Sequence, residues 1–135
     1  MTWVEVPEPT PAERDTPTRE QVAEAKHFGG GEGCYYASDR CWFSTTGDSR
    51  VWQFNLADDT FGLAYDGDGS LRAVDNVTGS AIGDLYVAEE GDNMEICIIT
   101  PDDVVAPMPR VNGYDSSGLT GPAFNPAGDR MYFSS

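Results

Sequence analysis

The chain contains one histidine, His27, and three cysteines, Cys34, Cys41 and Cys97, with no Cys-x-x-Cys pair. Paired-cysteine zinc sites are therefore not signalled, and His27 has no cysteine or aspartate at activating spacing, so it reads as a surface or packing residue rather than a general base. There is no Gly-x-Ser-x-Gly elbow and no glycine-rich phosphate loop bearing lysine, so any hydrolysis must be metal-assisted. Cationic residues are scarce: 8 Lys and Arg face 23 Asp and Glu, for a formal net charge of −15. Such a surface repels phosphate backbones and anionic headgroups, and the expectation is no nucleic-acid partner and no membrane partner. No apolar run reaches the ~18 residues of a spanning helix. No basic segment followed by an apolar one follows Met1, so the expectation is a chain without a signal peptide.

The 135 residues suffice for one modest core. An acidic chain rich in glycine permits hard cations, which are held by carboxylate and carbonyl oxygens; the same acids also serve simply to keep turns soluble. Cys34 and Cys41 are read either as a disulfide or as small apolar side chains in strands. Trp3-Val4-Glu5-Val6-Pro7 has the character of mid-chain sequence, and Met131-Tyr132-Phe133 stops within an apolar strand, so the expectation is truncation at both ends.

Residues 1–27 read as an extended arm, with Pro7, Pro9, Pro11 and Pro17 among polar residues. Within it, Thr18 to Lys26 is expected as a short helix, capped by Thr18 with Gln21 completing the box and ended at Gly29-Gly30-Gly31. Residues 28–135 change character. Short β-branched and aromatic runs (Cys34-Tyr35-Tyr36, Cys41 to Thr45, Arg50 to Phe54, Phe61 to Tyr65, Asp84 to Ala88, Glu95 to Ile99, Arg130 to Phe133) alternate with turns rich in Gly, Asp and Pro, the pattern of an antiparallel meander.

Asp39-Arg40-Cys41-Trp42-Phe43, Asp84-Leu85-Tyr86-Val87 and Asp129-Arg130-Met131-Tyr132-Phe133 each set a turn aspartate before an apolar strand, with the aspartates 45 residues apart both times. A second strand follows a Gly-Asp turn at Gly47-Asp48 and again at Gly91-Asp92-Asn93. A period of about 45 residues predicts an all-β partial β-propeller: about two four-stranded antiparallel blades plus the start of a third. Because a propeller needs ~4–8 blades to cover every sheet face, the remaining blades or self-association must complete it. The competing expectation is a small independent sandwich.

In a propeller, the residues just before each repeat's first strand approach a shared axis. Here they are Gly31-Glu32-Gly33, Val74-Asp75-Asn76 and Thr120-Gly121-Pro122. Glu32 between glycines and the neutral oxygen of Asn76 suit Ca²⁺; alternatively both only bond turn backbone. Glu89 and Glu90 follow the strand Leu85-Tyr86-Val87 and point to opposite faces, so at most one shares a site with Glu32 and Asn76. Asp66-Gly67-Asp68-Gly69 lacks the twelfth-position ligand of a calcium loop and is expected as a hairpin tip. Asn76-Val77-Thr78 matches a glycosylation sequon by accident.

Gly30 to Tyr36, Phe43 to Trp52, Asp75-Asn76-Val77, Gly83 to Gly91 and Leu119 to Pro126 together resemble the C-terminal region of bacterial PhoX-type alkaline phosphatases, over roughly residues 28–135. The resemblance implies a periplasmic or secreted parent propeller that hydrolyses phosphate esters with Ca²⁺ and Fe³⁺ in its channel. It implies Glu32 as a metal ligand, Asn76 lining the channel and Glu89 as a further ligand or support. The family usually has Glu-Asp-Gly where this chain has Glu89-Glu90-Gly91, and its iron site uses a cysteine thiolate for which Cys34 has no assigned match. It also implies N-terminal blades, carrying the other ligands, that this chain lacks; the expectation is an inactive fragment or component. Two other readings compete: a non-catalytic propeller binding module, and a calcium-dependent lactonase-like propeller, which also places a Glu-Gly pair and asparagines on its axis.

Overall fold

The computed structural model describes residues 2–91, 94–113 and 117–135. Ten strands follow one another in antiparallel meanders: β1 (Gly31–Ala37), β2 (Arg40–Thr45), β3 (Arg50–Asn55), β4 (Thr60–Tyr65), β5 (Val74–Gly79), β6 (Leu85–Glu89), β7 (Glu95–Ile99), β8 (Val105–Arg110), β9 (Thr120–Phe124) and β10 (Met131–Ser134). They form two four-stranded sheets in chain order, β1 to β4 and β5 to β8, and a two-stranded sheet of β9 and β10. The repeat is structural, because β2 and β6, β3 and β7, and β4 and β8 each start 45 residues apart. Asp92 of the second Gly-Asp turn, with Asn93, lies outside the described residues. No helix among the described residues is long and apolar enough to cross a membrane.

Burial is dictated by strand alternation. One face of the first sheet presents Tyr35, Trp42 and Val51 to Leu85, Val87, Cys97 and Ile99 of the second, with Tyr65, Leu71, Val74 and Val77 completing this core. The opposite face of the second sheet carries Ala88 and Ile96, which pack with Met94, Leu119, Tyr86 and Met131. Tyr86 also meets Phe124 edge-on at 5.0 Å. The three sheets therefore stack face to face in a row. The other face of the first sheet is aromatic. There Phe28 packs edge-on against Phe43, Trp52 and Phe61, Lys26 Nζ lies 4.6 Å over the Trp52 ring, and Trp3 meets Phe54.

Two sequence expectations change, and three strands lie where no strand was expected. The helix over Thr18 to Lys26 is only a 3₁₀ turn at Thr18–Glu20, preceded by Pro17 and without a side-chain cap. Gln21 does not complete a capping box: its amide accepts from Glu8 N and donates to the carbonyls of Glu8 and Thr16, tying the arm to itself. A segment this short lacks the length for a stable isolated helix, so the backbone partners prevail. Asp66-Gly67-Asp68-Gly69 is not a hairpin tip but part of the connection between the first two sheets. Tyr65 Oη donates to Asp68 Oδ1 at 2.7 Å and accepts from Leu71 N at 2.8 Å, while Arg50 pairs with Asp66 at 2.9 Å. Finally, β5, β8 and β9 give weak strand signals. Pro107 and Pro109 are accommodated because β8 is an edge strand, where missing N–H donors cost no interior ladder bond.

The first strands of the two four-stranded sheets touch backbone to backbone. A Cβ built on Gly33 would lie 2.5 Å from Asn76 Cα and from Val77 N, and one on Gly79 would lie 2.4 Å from the Tyr35 ring. Gly33→Ala must push the first two sheets apart and is expected to cost about 1–3 kcal/mol by urea denaturation, the range of overpacking. Gly62→Ala, where a Cβ meets nothing, is the matched control.

Candidate functional site

The three tripeptides expected at strand starts open β1, β5 and β9, and each contains a register shift: between Gly31 and Cys34, between Val74 and Val77, and opposite Tyr132 to Ser134 at Ala123 to Thr120. A bulge at the start of the first strand of each sheet re-aims the side chains it carries. Glu32 is exposed on the first bulge. On the second, Asp75 is buried and accepts from Asn76 Nδ2 at 3.0 Å, and its backbone carbonyl accepts the Ser44 hydroxyl. Ser44 Oγ also accepts from Gly33 N at 2.9 Å, so one hydroxyl ties both bulges together.

Asn76 does more than line the strand ends. Its Oδ1 accepts from Thr120 Oγ1 and from Gly121 N, both at 2.5 Å, joining β5 to β9. A carbonyl oxygen has two lone pairs, and here both have donors. His27 is exposed, as expected of a surface residue.

Glu89 is fully buried at the end of β6, while Glu90 is exposed, as their opposite-face placement requires. Glu89 Oε1 accepts from Arg72 N at 2.5 Å. The structure brings Glu89 together with Glu95 and Cys97, whose ligand atoms all lie within 4.8 Å of one another. Glu95 also pairs with Arg110 at 2.5 Å. Strand periodicity explains the grouping: Val87 pairs with Cys97, so Glu89 on β6 and Glu95 on β7, each two residues away, lie on that same face. Glu95 and Cys97 were legible as alternating positions on one strand, but nothing local tied them to Glu89. Burial, then the nearby Glu89 and Glu95, push the Cys97 thiol up to about 12.

The donors present test the cations that the family resemblance implies. Ca²⁺ takes about six to eight oxygens. Here the oxygens of Asn76 and Glu89 already accept backbone N–H groups, and the thiol of Cys97 is a soft donor unsuited to calcium. The group of Glu89, Glu95 and Cys97 therefore does not suit Ca²⁺ by itself. Two carboxylates and a thiol fit a borderline transition metal better, though only after the thiol loses its proton. No family model matches the chain, and a search of curated proteins finds no match.

Two outcomes follow from the buried group. Glu89→Ala leaves Arg72 N without its acceptor and is expected to cost about 1–3 kcal/mol. Glu89→Gln keeps an acceptor oxygen and costs less in the same urea titration. Because the Cys97 thiol rises from 9.0 in the unfolded chain to about 12 when folded, its contribution to stability is fully present below pH 9 and lost as pH rises toward 12. Cys97→Ser should flatten that part of a stability against pH profile.

Proposed function

We propose that this chain is a section of a β-propeller, two blades and part of a third, and one component of a metal-dependent phosphoesterase similar to the PhoX-type alkaline phosphatases. The observation that carries the reading is the bulge repeated at the start of β1, β5 and β9, with adjacent inner strands joined through Ser44 and Asn76. Bulged strand ends that converge are where a propeller gathers residues from several blades around its axis. In this reading Glu32 is the carboxylate the chain offers to a shared Ca²⁺. Asn76 and Glu89 hold the neighbouring backbone in place around it, and the rest of the coordination shell comes from further blades or from other copies of the chain. The parent would act on phosphate esters in the periplasm or outside the cell.

A non-catalytic propeller module is the second reading, favoured by the commitment of the Asn76 and Glu89 oxygens to backbone donors. Calcium titration monitored by thermal melting and sedimentation velocity separates the possibilities. At a Ca²⁺ concentration about a hundred times Kd, the bound state gains about 2.7 kcal/mol. The expected result is a higher Tm and a closed oligomer, both lost in Glu32→Gln, with the oligomer hydrolysing p-nitrophenyl phosphate. A calcium-dependent oligomer that leaves this ester intact supports the non-catalytic module. A monomer whose Tm ignores Ca²⁺ overturns the metal site.

A further inference from the structure

Two cysteine side chains meet on the β1–β2 hairpin, beyond the bulge that opens β1. Ser38 and Asp39, at φ of 50° and 57°, close this hairpin as a two-residue turn between the paired Ala37 and Arg40. Positive φ at both central residues is the type I′ geometry, whose twist matches that of the strands it joins. Tyr36 Oη donates to Asp39 Oδ1 at 3.2 Å and braces the turn. Register then places Cys34 opposite Phe43 and Cys41 opposite Tyr36, so the two cysteines are diagonal neighbours on one face of the sheet. Their sulfurs are 3.4 Å apart. Both are thiols, Cys34 exposed and Cys41 half-buried, whereas Cys97 is buried in the core between the first two sheets. The pair lies on the opposite, aromatic face of the first sheet.

We infer that Cys34 and Cys41 form a thiol–disulfide exchange site that takes small dialkyl disulfides as its oxidising substrate. Cys34, the exposed member, attacks one sulfur of the substrate as its thiolate. The substrate's S–S bond breaks, one thiolate leaves and takes up a proton, and a mixed disulfide forms on Cys34. Cys41 then loses its proton and attacks the Cys34 sulfur, expelling the second substrate thiolate, which is protonated in turn. The two cysteines together lose two electrons and two protons, and the substrate disulfide becomes two thiols. Closing the bond from 3.4 Å requires the sulfurs to approach by about 1.4 Å, within reach of side-chain rotation on a fixed hairpin. Burial and the neighbouring Cys34 push the Cys41 thiol up to about 11, so the second step should quicken as pH rises.

The test uses the full chain with oxidised glutathione at pH 8, alkylation of remaining thiols and peptide mapping by mass spectrometry. The wild-type chain is expected to lose two hydrogens, yield a Cys34–Cys41 linked peptide and retain no glutathione, with Cys97 alkylated only after unfolding. Cys41→Ser should retain one glutathione on Cys34, because the resolving thiol is gone. Should that variant fail to fold, the wild-type chain still decides the matter through the rate at which the linked peptide appears between pH 7 and pH 9, which should increase. Glutathione retained on wild-type Cys34, a linkage involving Cys97, or no oxidation of either hairpin cysteine would overturn the site.

Discussion

The structure depends on a steric constraint at one point, where the backbone of β1 lies directly against that of β5. Gly33 has no Cβ, and the space a methyl group would need is filled by Asn76 and Val77. That closeness lets the Ser44 hydroxyl reach both the Gly33 amide and the Asp75 carbonyl. It also sets the spacing at which Trp42 and Val51 meet Val87 and Cys97 in the buried core. From β5 the same arrangement passes to β9 through the Asn76 amide. Each sheet is thereby held to the next at its first strand, and the other strands follow through their ladders.

The two four-stranded sheets use one backbone plan for different chemistry. Ser44 and Glu89 are 45 residues apart at equivalent ends of β2 and β6, and both reach backbone: Ser44 bonds Gly33 N and the Asp75 carbonyl, Glu89 bonds Arg72 N. Arg50 and Glu95 open β3 and β7, each ion-paired but with opposite sign, Arg50 to Asp48 and Asp66, Glu95 to Arg110. Trp52 and Cys97 occupy the next equivalent pair. Trp52 is held by its Nε1 donating to Thr45 Oγ1, while Cys97 is set among two carboxylates in the core. The repeat keeps the starts of β2 to β4 in β6 to β8, because the position of the strands decides whether sheets stack. The side chains are free to diverge wherever volume and hydrogen bonding are satisfied.

The outermost faces are treated unequally. On the first sheet, the arm lays Trp3, Lys26 and Phe28 over an aromatic surface, an apolar ring and a lysine stem covering what a neighbouring sheet would otherwise cover. At the far end of the row, Tyr132 and Phe133 on β10 stay exposed. The edge at β8 is blunted by Pro107 and Pro109, which offer no N–H to another strand.

The sequence by itself determined the all-β class, the 45-residue period and seven of the strands, because alternating apolar residues between Gly and Asp turns are a local signal with a fixed physical cause. It also located the openings of β1, β5 and β9 as special, through a glutamate, an Asp-Asn pair and a Gly-Pro step in register. It could not place β5, β8 and β9 themselves, whose polar residues, glycine and prolines form strands only because neighbours supply the ladder. Nor could it tell that the oxygens of Asn76 and Glu89 are taken by Gly121 and Arg72, or that Glu89 meets Glu95 and Cys97 rather than Glu32. Those pairings join residues distant in the chain, and only the packing of sheet on sheet decides which side chain a buried oxygen faces.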